Sequence, residues 1–119
     1  MSGYSVIVHV NDNDRFPVAA GNIGNLIKDL APEQPRVELV INGTAVSVFQ
    51  DAVALRQMQD LHAQGVMIVA CRNSLQMMCS GKPDCPFAED KLPSFVTVVS
   101  AGVTEIIRKQ RDGYAYIKP

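Results

Sequence analysis

A chain of 119 residues makes one ordinary domain, and it can bury about two-thirds of its surface without disulfide or metal staples. Its 11 Lys and Arg against 12 Asp and Glu leave a formal charge of −1, so no basic excess exists to hold a nucleic-acid backbone or an anionic membrane. The longest apolar runs, such as VMIVAC, are strand-sized and far short of a bilayer crossing.

YSVIVHV (4–10) is β-branched and apolar on both faces, the pattern of a strand covered on both sides. After a polar turn, Asp14 is the expected N-cap of a helix to about Leu30, with Pro17 in its first turn. Val18, Ile23, Leu26, Ile27 and Leu30 fall on one face of that helix. Gly21 and Gly24 lie inside it, where each costs about 1 kcal/mol against Ala, so close packing on another backbone is expected there. RVELVIN (36–42) is a second strand, closed by an Asn42-Gly43 turn. Residues 51–64 predict a second helix, with Asp51 near its start and Gly65 as its C-cap; His62 faces solvent.

VMIVA (66–70) is the third strand, and a short helix follows over 73–78. Residues 80–93 are turn-rich and read as a long loop. SFVTVVS (94–100) is the fourth strand. Residues 101–111 predict a helix with Val103, Ile106 and Ile107 facing in; Gly113 stops it, and YAYI (114–117) is a short fifth strand. The methionines (Met58, Met67, Met77, Met78) are expected as core filler. Strands alternating with helices imply a single α/β domain over 1–119, with a mainly parallel five-stranded sheet.

In such sheets ligands bind beyond the carboxyl ends of the strands, where the strand order reverses. The residues at those ends are His9, Asn11 and Asp12; Asn42 and Gly43; Cys71, Arg72, Asn73 and Ser74; and Ser100 and Gly102. Most are ordinary turn formers. Cys71 and Arg72 are not. A thiol between a strand and a helix meets free backbone N–H groups and the positive end of the helix dipole, and Arg72 adds a positive charge nearby. Both favour thiolate, the nucleophilic form.

No secretory pattern is visible, since Arg15 follows the first apolar run, so a cytoplasmic protein with free cysteines is expected. The spacing C-x7-C-x5-C matches no common zinc pattern, and no metal or organic cofactor is expected. If 71–79 is helical, Cys71 and Cys79 stand about 12 Å apart along the axis, too far for a disulfide. Cys85 could fold back on Cys79, which leaves both open as resolving thiols or as incidental loop cysteines.

HVND (9–12), NIGNLIKDL (22–30), VELVINGTAV (37–46), GVMIVACRNSL (65–75) and VVSAGVTEIIRKQRDGYAYIKP (98–119) together resemble the DsrE/DsrF-like family of small sulfur-metabolism proteins. That resemblance implies a three-layer α/β/α domain that assembles into homotrimers or hexamers. It also implies that Cys71, in the loop from third strand to helix, carries sulfur as a persulfide between a donor and an acceptor protein. CSGKPDCPFAED (79–90) departs from the family pattern as we read it. Two other readings fit the same residues: an oligomeric binding module for a small anion with Cys71 merely packed, and a redox sensor pairing Cys71 with Cys79 or Cys85.

Overall fold

The computed structural model describes residues 3–119. Its strands are β1 (Ser5–Val10), β2 (Arg36–Ile41), β3 (Met67–Cys71), β4 (Val96–Val99) and β5 (Ala115–Ile117). Its α-helices are α1 (Phe16–Leu30), α2 (Ala52–Ala63), α3 (Arg72–Cys79) and α4 (Gly102–Arg111). All neighbouring strands pair in parallel, in the order β4-β3-β2-β1-β5. The α/β reading with a parallel five-stranded sheet therefore holds. Among the described residues no helix is long and apolar enough to cross a membrane.

The strand order decides which face each helix covers. From β1 to β4 the chain steps one strand at a time in one direction, and right-handed crossovers put α1, α2 and α3 on the same face. The chain then turns back from β4 to β5, beyond β1, so α4 crosses the opposite face. The first face is thickly covered. Val8, Leu39, Ile41 and Ile68 pack there against Phe16 and Ile23 of α1 and Met58 of α2, all essentially buried, each worth about 1.5–3 kcal/mol.

The second face has one helix. Ile7, Val40 and Val69 pack under Ile106 of α4, flanked by Val99 and Tyr114. Here the expected helix face is corrected. Ile106 is buried, but Val103 and Ile107 are 58% and 65% exposed, and Glu105 is buried in their stead. The cause lies in the sheet. Glu38 points from β2 to this face, and Lys109 of α4 reaches its carboxylate at 3.4 Å and that of Glu105 at 3.9 Å. Rotating α4 to bury Ile107 would break that cluster and leave the buried Glu38 carboxyl without polar partners.

Other expectations change in detail. Asp12, not Asp14, caps the first helical turn, and a short 3-10 turn over Asn13–Arg15 leads into α1. The apolar stretch 43–50 winds as 3-10 helix. Met58 is core, but Met67 and Met77 are exposed. A Cβ at Gly21 or Gly24 would meet nothing within 4 Å, so no close packing repays these glycines. Gly21→Ala and Gly24→Ala should each stabilise the protein by about 0.5–1 kcal/mol, read as a raised urea midpoint with unchanged slope.

Candidate thiol site

The carboxyl edge has its topological break between β3 and β4. The chain leaves β3 toward α3 on the first face and leaves β4 toward α4 on the second. Diverging connections open a crevice at such a point. Cys71 ends β3 opposite Val99 of β4. It is also the N-cap of α3, with extended backbone. The sulfur thus lies where two helices begin.

Burial, to 4% exposure, pushes the Cys71 thiol up. That push is outweighed by the Ser74 hydroxyl and the backbone N–H groups of Gly102, Ser74 and Asn73, which hold the thiol below its ordinary range. The neutral thiol closes no tight capping hydrogen bond. The donors are ranged around it for the charged form. They come from the first turns of α3 and α4, where helix N–H groups lack intrahelical partners. Ser74 is itself poised. Its Oγ accepts the Gly43 N–H at 2.7 Å, which leaves its own proton for the sulfur. Gly43 is needed for that turn: it has φ +59°, and a Cβ there would stand 3.0 Å from the Asn11 carbonyl oxygen.

Beside the thiol stands Asn42, just past β2 on the second face. Its Oδ1 lies 2.8 Å from His9 Nε2, and His9 Nδ1 lies 2.7 Å from the Tyr116 hydroxyl. An amide oxygen only accepts, so Nε2 carries the His9 proton and Nδ1 accepts from Tyr116. Burial and the charge of Lys118 lower the His9 pKa against the hydrogen bond it donates to Asn42, which favours the neutral ring. With both nitrogens engaged, His9 is no free base for the thiol. Gly102 lets α4 start close by: a Cβ there would meet Asn42 Cβ at 3.2 Å, and Asn42 Nδ2 and Val40 Cγ1 at 3.4 Å.

The structure thus brings Cys71, Asn73, Ser74, Gly43, Gly102, Asn42 and His9 together. Ser100 enters through its backbone: its carbonyl accepts the Asn73 N–H at 3.3 Å, so that N–H is shared between this oxygen and the Cys71 sulfur and is the weakest of the donors there. Asn11 is exposed at the rim, and its carbonyl accepts from Thr44. Arg72 is turned away. Its guanidinium forms a two-point pair with Glu89 at 2.8 and 3.1 Å, so the Ser74 hydroxyl and the backbone N–H groups, and not this side chain, lower the thiol pKa. Cys79 and Cys85 form a disulfide, against the expectation of three free thiols, closed by a turn through Gly81 and Lys82. Cys71 is the free cysteine, and both sulfurs considered as its resolving partners are occupied. Among the described residues no group of three or more His, Cys, Asp or Glu is placed to hold a metal ion.

Tyr116 escaped sequence reading. Spacing gives no hint of it, because it reaches His9 only through the pairing of β5 with β1, which sets Tyr116 beside Ile7.

A parallel sheet with a thiol at its switch point, ringed by helix N–H groups, defines a small α/β protein with a candidate thiol site. The DsrE/DsrF-like family matches residues 6–119, and the chain belongs to that family. It is similar over 98% of its length to MTH1491 of Methanobacterium thermoautotrophicum, a solved protein of unknown function, with 34% identity, 99% of that chain covered and a TM-score of 0.81. BT1422 of Bacteroides thetaiotaomicron, also of unknown function, shares the fold at 13% identity and a TM-score of 0.66, over 97% of this chain and 94% of that one. No curated protein matches.

Proposed function

We propose that the protein is a cytoplasmic sulfur carrier that holds sulfane sulfur as a persulfide on Cys71. The observation that carries this reading is the convergence of N–H donors from two helix starts, and the Ser74 hydroxyl, on one buried free thiol. A structural cysteine in a core needs no such donors.

The thiolate attacks the outer sulfur of a donor. With thiosulfate the S–S bond breaks and sulfite leaves: Cys71–S⁻ plus S₂O₃²⁻ gives Cys71–S–S⁻ plus SO₃²⁻. An acceptor thiolate then attacks the outer sulfur of that persulfide and carries it off, regenerating the Cys71 thiolate. Each step is thiol exchange, driven by thiolate fraction and access, and needs no metal or organic cofactor. The half-open face over α4, with Val103, Ile107 and Met67 exposed, is where further copies of the chain pack into a trimer or hexamer.

Incubation with thiosulfate or a small persulfide should add the mass of one sulfur atom to the intact protein, and Cys71→Ser should abolish the gain. Because Cys71 is 4% exposed, small reagents should label it far faster than bulky ones. A wild-type protein that takes up no sulfur, with Cys71 inert even to iodoacetamide, would leave a ligand-binding module with a packed cysteine.

A further inference from the structure

We infer that Asn42 is a positioning residue of the sulfur site, with its Nδ2 donating to the outer, transferable sulfur, and that Tyr116 and His9 hold it in that orientation. The part played toward the outer sulfur rests on the carrier reading above.

The geometry runs inward from the edge strand. Asn42 faces His9 Nε2 with its Oδ1, which only accepts, so Nε2 carries the proton and Nδ1 of the neutral ring is left to accept from the Tyr116 hydroxyl. The other end of the amide is thereby turned the opposite way, toward Gly102, where Nδ2 lies 3.4 Å from the place of a Gly102 Cβ. The same Gly102 supplies a backbone N–H to the Cys71 sulfur. Asn42 and Cys71 are neighbours across β2 and β3, one step beyond the Ile41–Ala70 pair and on the same face. Asn42 is not among the groups that shift the thiol itself. From that neighbouring strand position, with Nδ2 turned toward Gly102, the amide can reach one further atom bonded to Sγ. A persulfide places its negative charge on that further atom, and an amide N–H is a suitable partner for it.

A glycine at 102 fits the same design, since any side chain there would push Asn42 or Val40 aside. Tyr116 closes the relay, and its hydroxyl is the only part of it that β5 contributes.

The test uses the full-length protein loaded with sulfur from thiosulfate, then exposed to cyanide, which attacks the outer sulfur and leaves as thiocyanate with regeneration of the Cys71 thiolate. In Asn42→Ala, release should be roughly tenfold faster than in the parent, the factor expected when one hydrogen bond to a charge is lost. Tyr116→Phe should show the same trend, smaller. The pH profile of Cys71 alkylation without sulfur should be unchanged in both, which a merely structural defect would not leave intact. Nitrogen-15 NMR should find His9 in the Nε2–H tautomer in the parent, and a tautomer mixture in Tyr116→Phe. Equal release rates in loaded parent and variants, or an Nδ1–H tautomer in the parent, would overturn the relay and leave the carrier standing. A parent that never loads overturns both.

Discussion

Glu38→Gln should match the parent in stability near pH 5 and exceed it by roughly 2–4 kcal/mol at about pH 9, as read from urea unfolding at each pH. Glu38 lies mid-sheet, 2% exposed, between Ile7 of β1 and Met67 of β3. Its Oε1 meets Lys109 at 3.4 Å, while its Oε2 is buried without a donor. Burial, then the hydrogen bond with Glu105 and the charge of Glu105, push its carboxyl up to about 8 against the pull of Lys109. A proton shared with the Glu105 carboxyl would satisfy the donorless oxygen.

The sign follows from proton counts. Unfolded, Glu38 ionises near 4.3, so between there and about 8 the folded state holds a proton that the unfolded state has lost. Stability therefore falls as pH rises through that window, by up to about 1.4 kcal/mol per pH unit, and the contribution is gone above it. His9 acts oppositely at lower pH: its pKa is depressed in the fold, so its cost disappears as pH rises toward the ordinary histidine value. Lys109 is raised and loses its contribution only at higher pH still. Subtracting the variant's curve from the parent's isolates Glu38. A glutamine amide can put an N–H where the shared proton stood, so the variant keeps the contact and drops the titration. Parallel curves for the two proteins would refute the shared proton.

Glu38 also shows where sequence reading stopped. RVELVIN was legible as a strand because its residues are β-branched and apolar, and a lone Glu inside a run buried on both faces was a signal to pursue. Such a charge requires a partner from whatever covers that face. Following it would have set the rotation of α4, since Lys109 and Glu105 share a side of the helix while Val103 and Ile107 share another. Cys71 was legible for a local reason: its strand end and helix start adjoin in sequence. The neighbours that act on it divide by the same rule. Asn73 and Ser74 are local and were named, and Gly43, Asn42 and Gly102 followed from the single assumption of a parallel sheet. Tyr116 needed the strand order, which turns on where the last crossover lands. The Arg72–Glu89 pair and the Cys79–Cys85 bond depend on how residues 80–93 fold back, where turn residues permit many paths.

Ser74→Ala tests the thiol site most directly. Ser74 is 8% exposed, and its Oγ stands between a backbone N–H and a sulfur. Removing it takes the hydroxyl donor from the Cys71 thiolate and leaves the Gly43 N–H without its acceptor. The first loss should raise the thiol pKa, because the side-chain donor leads the groups that offset burial. The alkylation rate near neutral pH should then fall several-fold, with the midpoint of the pH–rate profile displaced upward. The second loss should cost about 1–3 kcal/mol, the penalty for a buried donor left unpaired. The thiol adds a linkage of its own. A cysteine whose folded pKa is depressed gains stability as pH rises from that value to the ordinary thiol pKa, and this gain should shrink in Ser74→Ala. Loss of stability alone would make Ser74 a structural strut for the Gly43 turn. An unmoved pH–rate midpoint in a folded variant would mean that the hydroxyl proton does not serve the sulfur, and that the backbone N–H groups of the two helix starts hold the charge by themselves.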